Sequence, residues 1–205
     1  MKPRDERALA GVRVLVGRAK HQAGALSELL RQRGADVLEI PFIEIRKPRS
    51  FKALDEALLN LANYDWLILT SVNGVEALAE RAKKLRLTKR NFRHLKTAAI
   101  GPATKKTMLN QGMLVSVMPV EYVAESVVKA LRRAVKGKRV LLVRAKVARD
   151  VIPNELRKAG AYVDVVEAYE TVVPAASKKK LRAALKSERK RPEVVDARGG
   201  RGDEG

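Results

Sequence analysis

Apolar positions along this chain switch between two spacings. Trp66-Leu67-Ile68-Leu69 is an unbroken apolar run of strand length, and Val75, Leu78, Ala79, Ala82 and Leu85 then recur at helical spacing. Phe51, Leu54, Leu58, Leu59 and Ala62 form a second helical stripe ahead of that strand. Thr97-Ala98-Ala99-Ile100 reads as a short strand and meets Gly101-Pro102-Ala103-Thr104, where the proline suits the first turn of a helix running to Gly112. Residues 114–118 predict a further strand, 123–135 a helix and 138–143 a strand. Strands alternating with helices predict a parallel sheet with right-handed crossovers, in which ligands bind beyond the carboxyl ends of the strands. Thr70-Ser71, Gly101 to Thr104 and Arg144 all fall at such ends.

The pattern also repeats. "GVRVLVGRAKHQAGALSELLRQRGADVLEIPFIEI" from Gly11 aligns without a gap on "GKRVLLVRAKVARDVIPNELRKAGAYVDVVEAYETV" from Gly137, an offset of 126 residues. Gly11, Arg13, Val14, Leu15, Arg18, Ala19, Lys20, Leu30, Arg31, Gly34, Ala35, Val37 and Glu44 meet identical residues. Each copy reads strand, loop, helix, glycine stop, strand. Gly34 and Gly160 stand where a helix end calls for positive φ. The offset is too long for a solenoid, so two similar α/β units are implied. "VLEIPFIEIRKP" and "VDVVEAYETVVP" are long extended runs that each end at a proline. If each leaves one unit for the other, they form a paired two-stranded bridge. The resulting expectation is two flavodoxin-like or Rossmann-like parallel-sheet domains joined by a two-stranded ladder. Residues 1–44 and 167–195 make a discontinuous, incomplete first domain, residues 45–166 the second, and residues 196–205 a disordered tail.

Composition narrows the chemistry. The chain has 205 residues, no cysteine and two histidines, His21 and His94, which argues against thiolate or histidine-rich metal sites and against a Ser-His-Asp triad. No apolar run is long enough for a membrane span or a signal peptide, so a cytoplasmic protein without a membrane partner is expected. The net charge of +20 points to a polyanionic partner. The lysines and arginines at 83–90 and 178–186 also suit exposed faces. Aromatic residues make up only 4% of the chain, which supplies stacking platforms for single strands poorly, so no specific nucleic acid is expected. At the joint Thr70-Ser71-Val72-Asn73-Gly74, two readings stay open. Asn73 and Glu76 have the spacing of a capping box, and the same joint offers N–H groups and hydroxyls to an anion.

Taken in order, "VRVLVGR", "YDWLILTSVNGVEA", "AAIGPATKKTML" and "VLLVRAKVARDVIPNELRKAGAYVDVVEAYETVVP" resemble the uroporphyrinogen-III synthase family over about residues 11–195. The resemblance implies two α/β domains with a site in the cleft between them, no metal or organic cofactor, and a monomer. It implies a cyclising hydro-lyase of tetrapyrrole and heme biosynthesis. The enzyme closes hydroxymethylbilane to uroporphyrinogen III, with loss of water and inversion of ring D through a spiro intermediate. The implied partner is therefore a small-molecule polycarboxylate tetrapyrrole, and a basic site lined by helix N-termini suits its eight carboxylates. By the same resemblance Tyr169 is the candidate catalytic acid, and packing on the ladder is its alternative role. Ser71 and Thr104 are candidate donors to substrate carboxylates, with Thr70, Asn73, Gly101 and Ala103 shaping the same pocket. Arg18 and Arg144 hold equivalent places in the repeat, facing the cleft or pairing with a nearby acid.

Two departures stand out. Gly17 replaces the family's usual threonine, and "RPEVVDARGGRGDEG" breaks off soon after starting as a strand should, at Pro192-Glu193-Val194-Val195. A frameshift, a truncated gene or a shortened product would each explain the ending, and impaired activity of the chain is the expectation. The alternative function is a non-catalytic α/β module that binds anions or nucleic acid through the same basic edge.

Overall fold

The computed structural model describes residues 7–17 and 20–188. The expected strand at Val194-Val195 and the tail beyond it lie outside the described residues, as does Arg18. The chain divides into two compact units. One is drawn from both ends, up to Glu44 and from Val173 onward, and the other is Ile45–Val172.

In the first unit, β1 (Arg13–Val16) and β2 (Asp36–Glu39) pair in parallel, with α1 (Lys20–Gln32) as the crossover between them. Gly34 ends the helix at φ +88°, as its place in the repeat predicts, and its amide donates to the Arg31 carbonyl at 2.9 Å. The extended run expected through 37–48 is broken. Pro41 has no N–H to give a ladder, and β2 stops short of it before β3 (Glu44–Arg46) begins.

In the second unit the order after β3 is α2 (Lys52–Leu59), a 3₁₀ turn at Leu61–Asn63, β4 (Trp66–Leu69), α3 (Val72–Lys84), α4 (Lys89–Phe92), β5 (Lys96–Ala99), α5 (Pro102–Asn110), α6 (Ala124–Leu131), β6 (Arg139–Ala145), α7 (Val151–Lys158) and β7 (Tyr162–Val172). The final helix, α8 (Ala175–Glu188), returns to the first unit. The sheet of the second unit runs β3-β7-β6-β4-β5, and β7-β6-β4-β5 are parallel throughout. The chain thus crosses between units at β3 and at the end of β7, past the expected boundary at Val166, and these two strands are sheet neighbours.

The unbroken apolar runs of β4 and β6 have a simple cause: both faces of the sheet are covered. Leu67, Leu69, Leu141 and Val143 pack with Leu54, Leu58, Leu78 and Met108 from α2, α3 and α5. Trp66, Ile68, Val140 and Leu142 pack with Val127, Leu131, Ile152 and Leu156 from α6 and α7. Burial of each such Leu or Val side chain contributes about 1.5–3 kcal/mol. Near the amino ends of these strands several polar side chains pair. Tyr64 donates to Asp164 at 2.8 Å, and Asp65 accepts from the Arg139 amide at 2.9 Å and from Lys138 at 3.0 Å.

Three local expectations are corrected. Residues 114–118 form no strand: only a bridge between Ala98 and Val117 remains, with Leu114 83% exposed and Pro119 close behind. The helix expected over 123–135 ends at Leu131 and continues as turn. Leu59, placed on the α2 stripe, points outward, and Ala57 takes the buried position instead.

Candidate functional site

The carboxyl ends of β4, β5, β6 and β7 gather the expected residues of the second unit. At the end of β4 the chain turns straight into α3. The N-cap is Ser71, not Asn73: the Ser71 Oγ accepts from the Gly74 amide at 3.0 Å. No capping box forms there, and one forms instead at Thr88 and Asn91 at the start of α4. Asn73 sits half-buried in the first turn of α3.

Tyr169 reaches the same serine. Its phenol donates to Ser71 Oγ at 2.9 Å, and the side chain is 9% exposed. A bulge makes the contact possible. Between β6 and β7 the register runs regularly to Arg144 opposite Glu167, then slips so that Ala145 meets Tyr169. The slip breaks the in–out alternation and lets consecutive residues Ala168 and Tyr169 both face the core. A serine hydroxyl offers one donor and two acceptor positions. With Gly74 and Tyr169 both donating to it, Ser71 keeps its own proton available to a further acceptor.

Beside this pair, Thr70, Ile100, Tyr122, Arg144 and Arg149 help line a cavity of about 230 Å³. Arg144 is held firmly. Its guanidinium donates to the Arg149 carbonyl at 3.0 Å and to Asp150 at 2.6 Å, with 11% of the side chain exposed and its Nε without a partner. Arg144 therefore has an acidic neighbour and also borders the cavity. Gly101 caps α5 and lies under Tyr122, whose Cγ would be 3.3 Å from a Cβ placed there. A side chain there would press the ring outward by a few tenths of an ångström. Ala103 is exposed in the first turn of α5, while Thr104 is turned inward and 4% exposed. The structure thus brings Ser71 to Tyr169 and Thr70 to Arg144, and leaves the Thr104 side chain within the packing. Tyr122 is a cavity-lining residue that sequence reasoning missed, because no spacing marks a loop tyrosine as the cover of a glycine.

In the first unit, Gly17 occupies the place of the expected threonine. A Cβ there would stand 2.5 Å from Cδ2 of Phe42, so the Phe42 ring fills the space of the missing side chain. Among the described residues no group of three or more His, Asp or Glu side chains is placed to hold a metal ion. No helix among them is long and apolar enough to cross a membrane.

Residues 24–196 match the model of the family described as uroporphyrinogen-III synthase HemD. The chain is 36% identical over 172 residues to the uroporphyrinogen-III synthase of Synechococcus elongatus, covering 82% of this chain and 64% of that protein. It is 30% identical over 169 residues to the putative uroporphyrinogen-III synthase of Methanocaldococcus jannaschii, covering 80% of this chain and 63% of the relative. The chain thus spans somewhat under two thirds of these relatives' length. In structure it is similar to a mutant form of the Thermus thermophilus uroporphyrinogen III synthase, with a TM-score of 0.68 at 19% identity over 86% of this chain and 69% of the other, a likeness of fold. Two α/β units built on a repeated strand–helix–strand motif, and a family match across most of the sequence, lead to one assignment: this chain belongs to the uroporphyrinogen-III synthase family.

Proposed function

We propose that this chain closes hydroxymethylbilane to uroporphyrinogen III, acting as a lyase that removes water and inverts the last pyrrole ring. The observation that carries the reading is the Tyr169–Ser71–Gly74 contact at the carboxyl ends of β4 and β7. The reaction begins when the substrate hydroxyl leaves as water, which requires a proton. In this reading the Tyr169 phenol supplies it, directly or through the Ser71 hydroxyl that it already touches. What remains is to hold an electrophilic chain so that the substituted carbon of the last ring attacks, a task of positioning. Arg144, fixed by Asp150, and the helix starts at Ser71 and Gly101 offer charge and N–H groups to the substrate's carboxylates. Thr70, Asn73 and Ala103 shape the same surface. Thr104 supports the start of α5 from within, and Arg18 is assigned to carboxylate binding by its place in the repeat. The domains in this reading are the two α/β units, the protein acts as a cytoplasmic monomer, and neither nucleic acid nor membrane is a partner.

The test is isomer analysis after the chain meets enzymatically generated hydroxymethylbilane. Uroporphyrinogen III in excess of spontaneous closure, formed at the low rate of an impaired enzyme, is expected, and isomer I alone would overturn the proposal. In an active preparation, Tyr169→Phe is expected to lower turnover about tenfold, equivalent to roughly 1.4 kcal/mol, with product affinity nearly unchanged. Unchanged turnover would return Tyr169 to a packing role.

A further inference from the structure

A second hollow lies at the other end of the second unit's sheet, near the amino end of β5 and the carboxyl ends of α3 and α5. It consists of two cavities of about 380 and 370 Å³, which share Lys89, Phe92, Gly112 and Met113 in their walls. The floor is apolar: Leu78 and Ala82 from α3 are buried, Met113 is 8% exposed, and Leu87 and Phe92 are half-buried. The rim is cationic, with Lys83, Arg86, Lys89 and Arg93 all exposed. No aspartate or glutamate lines either cavity.

Local electrostatics account for only part of that rim. Lys83 sits in the last turn of α3, where a cation complements the helix dipole. Lys89 and Arg90 open α4, a single four-residue turn that carries no acid to pair with them. Arg86 follows the end of α3 at φ +57°, a conformation that usually selects glycine or asparagine. Lys89 is laid along the chain at Gly112: a Cβ at Gly112 would come within 2.8 Å of its Cδ. Gly112 therefore makes room for the lysine stem over the shared part of the two cavities.

We infer that this hollow binds a single-chain amphiphilic anion, with its apolar chain over Phe92 and Met113 and its carboxylate or phosphate head at Arg86 and Lys89. The volumes fall in the range of small-molecule pockets, an apolar floor with a few convergent charges is the usual form of such sites, and the charge is of one sign. The hollow is separate from the strand ends that carry Ser71 and Tyr169, so the inference stands independently of the proposed reaction.

The experiment is calorimetric titration of the full chain with decanoate and with decyl phosphate, against decanol and acetate as controls lacking the charge or the chain. Saturable binding of at least one charged amphiphile, at least tenfold tighter than either control, is expected. Arg86→Glu with Lys89→Glu should weaken it at least tenfold, while Lys178→Glu with Lys179→Glu on α8 should change it less than twofold. A thermal unfolding midpoint within a few degrees of the parent establishes that each variant is folded. Because both exchanged side chains are exposed, a second variant, Met113→Gln, tests the floor and should weaken decanoate without affecting acetate. Binding of decanol as tight as that of decanoate, equal losses in both charge-reversal variants, or no saturable binding of either charged probe would each overturn the inference.

Discussion

Leu15 and Leu141 hold the same place in two copies of one strand–helix–strand sequence, yet Leu15 is 41% exposed and Leu141 is fully buried. Leu26 and Ile152 differ in the same direction, at 37% and 5%. The turns of the two copies, by contrast, are superimposable in kind. Gly34 and Gly160 share φ +88°, each donates to the carbonyl three residues back at 2.9 Å, and Ala35 and Ala161 close the next bond at 3.1 and 3.0 Å. What differs is the company each strand keeps. β6 has β7 on one side and β4 on the other, with helices over both faces, whereas β1 pairs only with β2 among the described residues. The repeat specifies turns and register, and the difference in burial comes in large part from elements outside the repeat, β4 and the helices α2, α3, α5 and α6.

The comparison is most sharply broken by paired truncations. Leu141→Ala leaves a cavity within a sheet covered on both faces and is expected to cost about 2–5 kcal/mol, while Leu15→Ala is expected to cost about 1 kcal/mol or less. Urea unfolding followed by the fluorescence of Trp66, the chain's single tryptophan, reports the second unit, and hydrogen exchange at Val14 and Val16 reports the first. Similar costs for the two substitutions would mean that the copies are equally buried in solution.

A smaller effect tests the likeness of the turns. Alanine at a positive φ costs about 1–2 kcal/mol, so Gly160→Ala should lose about that amount. Gly34→Ala should lose somewhat more, because its Cβ would meet backbone, 3.2 Å from the Ala10 nitrogen, whereas at Gly160 it meets only the Lys136 side chain at 3.4 Å. Unfolding curves for both variants check the order, and a reversed order would show that the environments of the two turns have been misassigned.

The smallest effect is a pH dependence confined to the second unit. Burial, and then the bond to Asp164, push the Tyr64 phenol up to about 12. A value raised in the folded state makes a contribution that is complete below the unfolded value near 10 and is lost as pH rises through 12. The Trp66 unfolding midpoint should therefore fall across that window, and Tyr64→Phe should flatten part of the fall. A slope unchanged in the variant would assign the loss to other groups.

Much of this organisation is legible along the chain, because strong apolar periodicity and punctuating glycines are local signals. β4, β5, β6 and α3 lie where their residues predict, and Gly34 and Gly160 end their helices. What is not legible depends on partners distant in sequence. Residues 114–118 have the residues of a strand, but hold only the bridge of Val117 to Ala98. Ser71 prevails over Asn73 as the cap because of where β4 ends. The meeting of Tyr169 with Ser71 depends on a one-residue slip between β6 and β7, and no property of "EAYETV" announces that slip.

The adjacency of β3 and β7 has a consequence for the chain as a polymer. The second unit begins and ends on neighbouring strands. Once it has folded, its sheet fixes the separation of the first unit's two segments, and the entropy of closing that loop no longer grows with the length of the insertion. A continuous segment with its own core can fold on its own contacts before the remaining segments meet. The same continuity makes residues 45–172 a candidate for excision with the strand ends where Ser71 and Tyr169 meet kept whole.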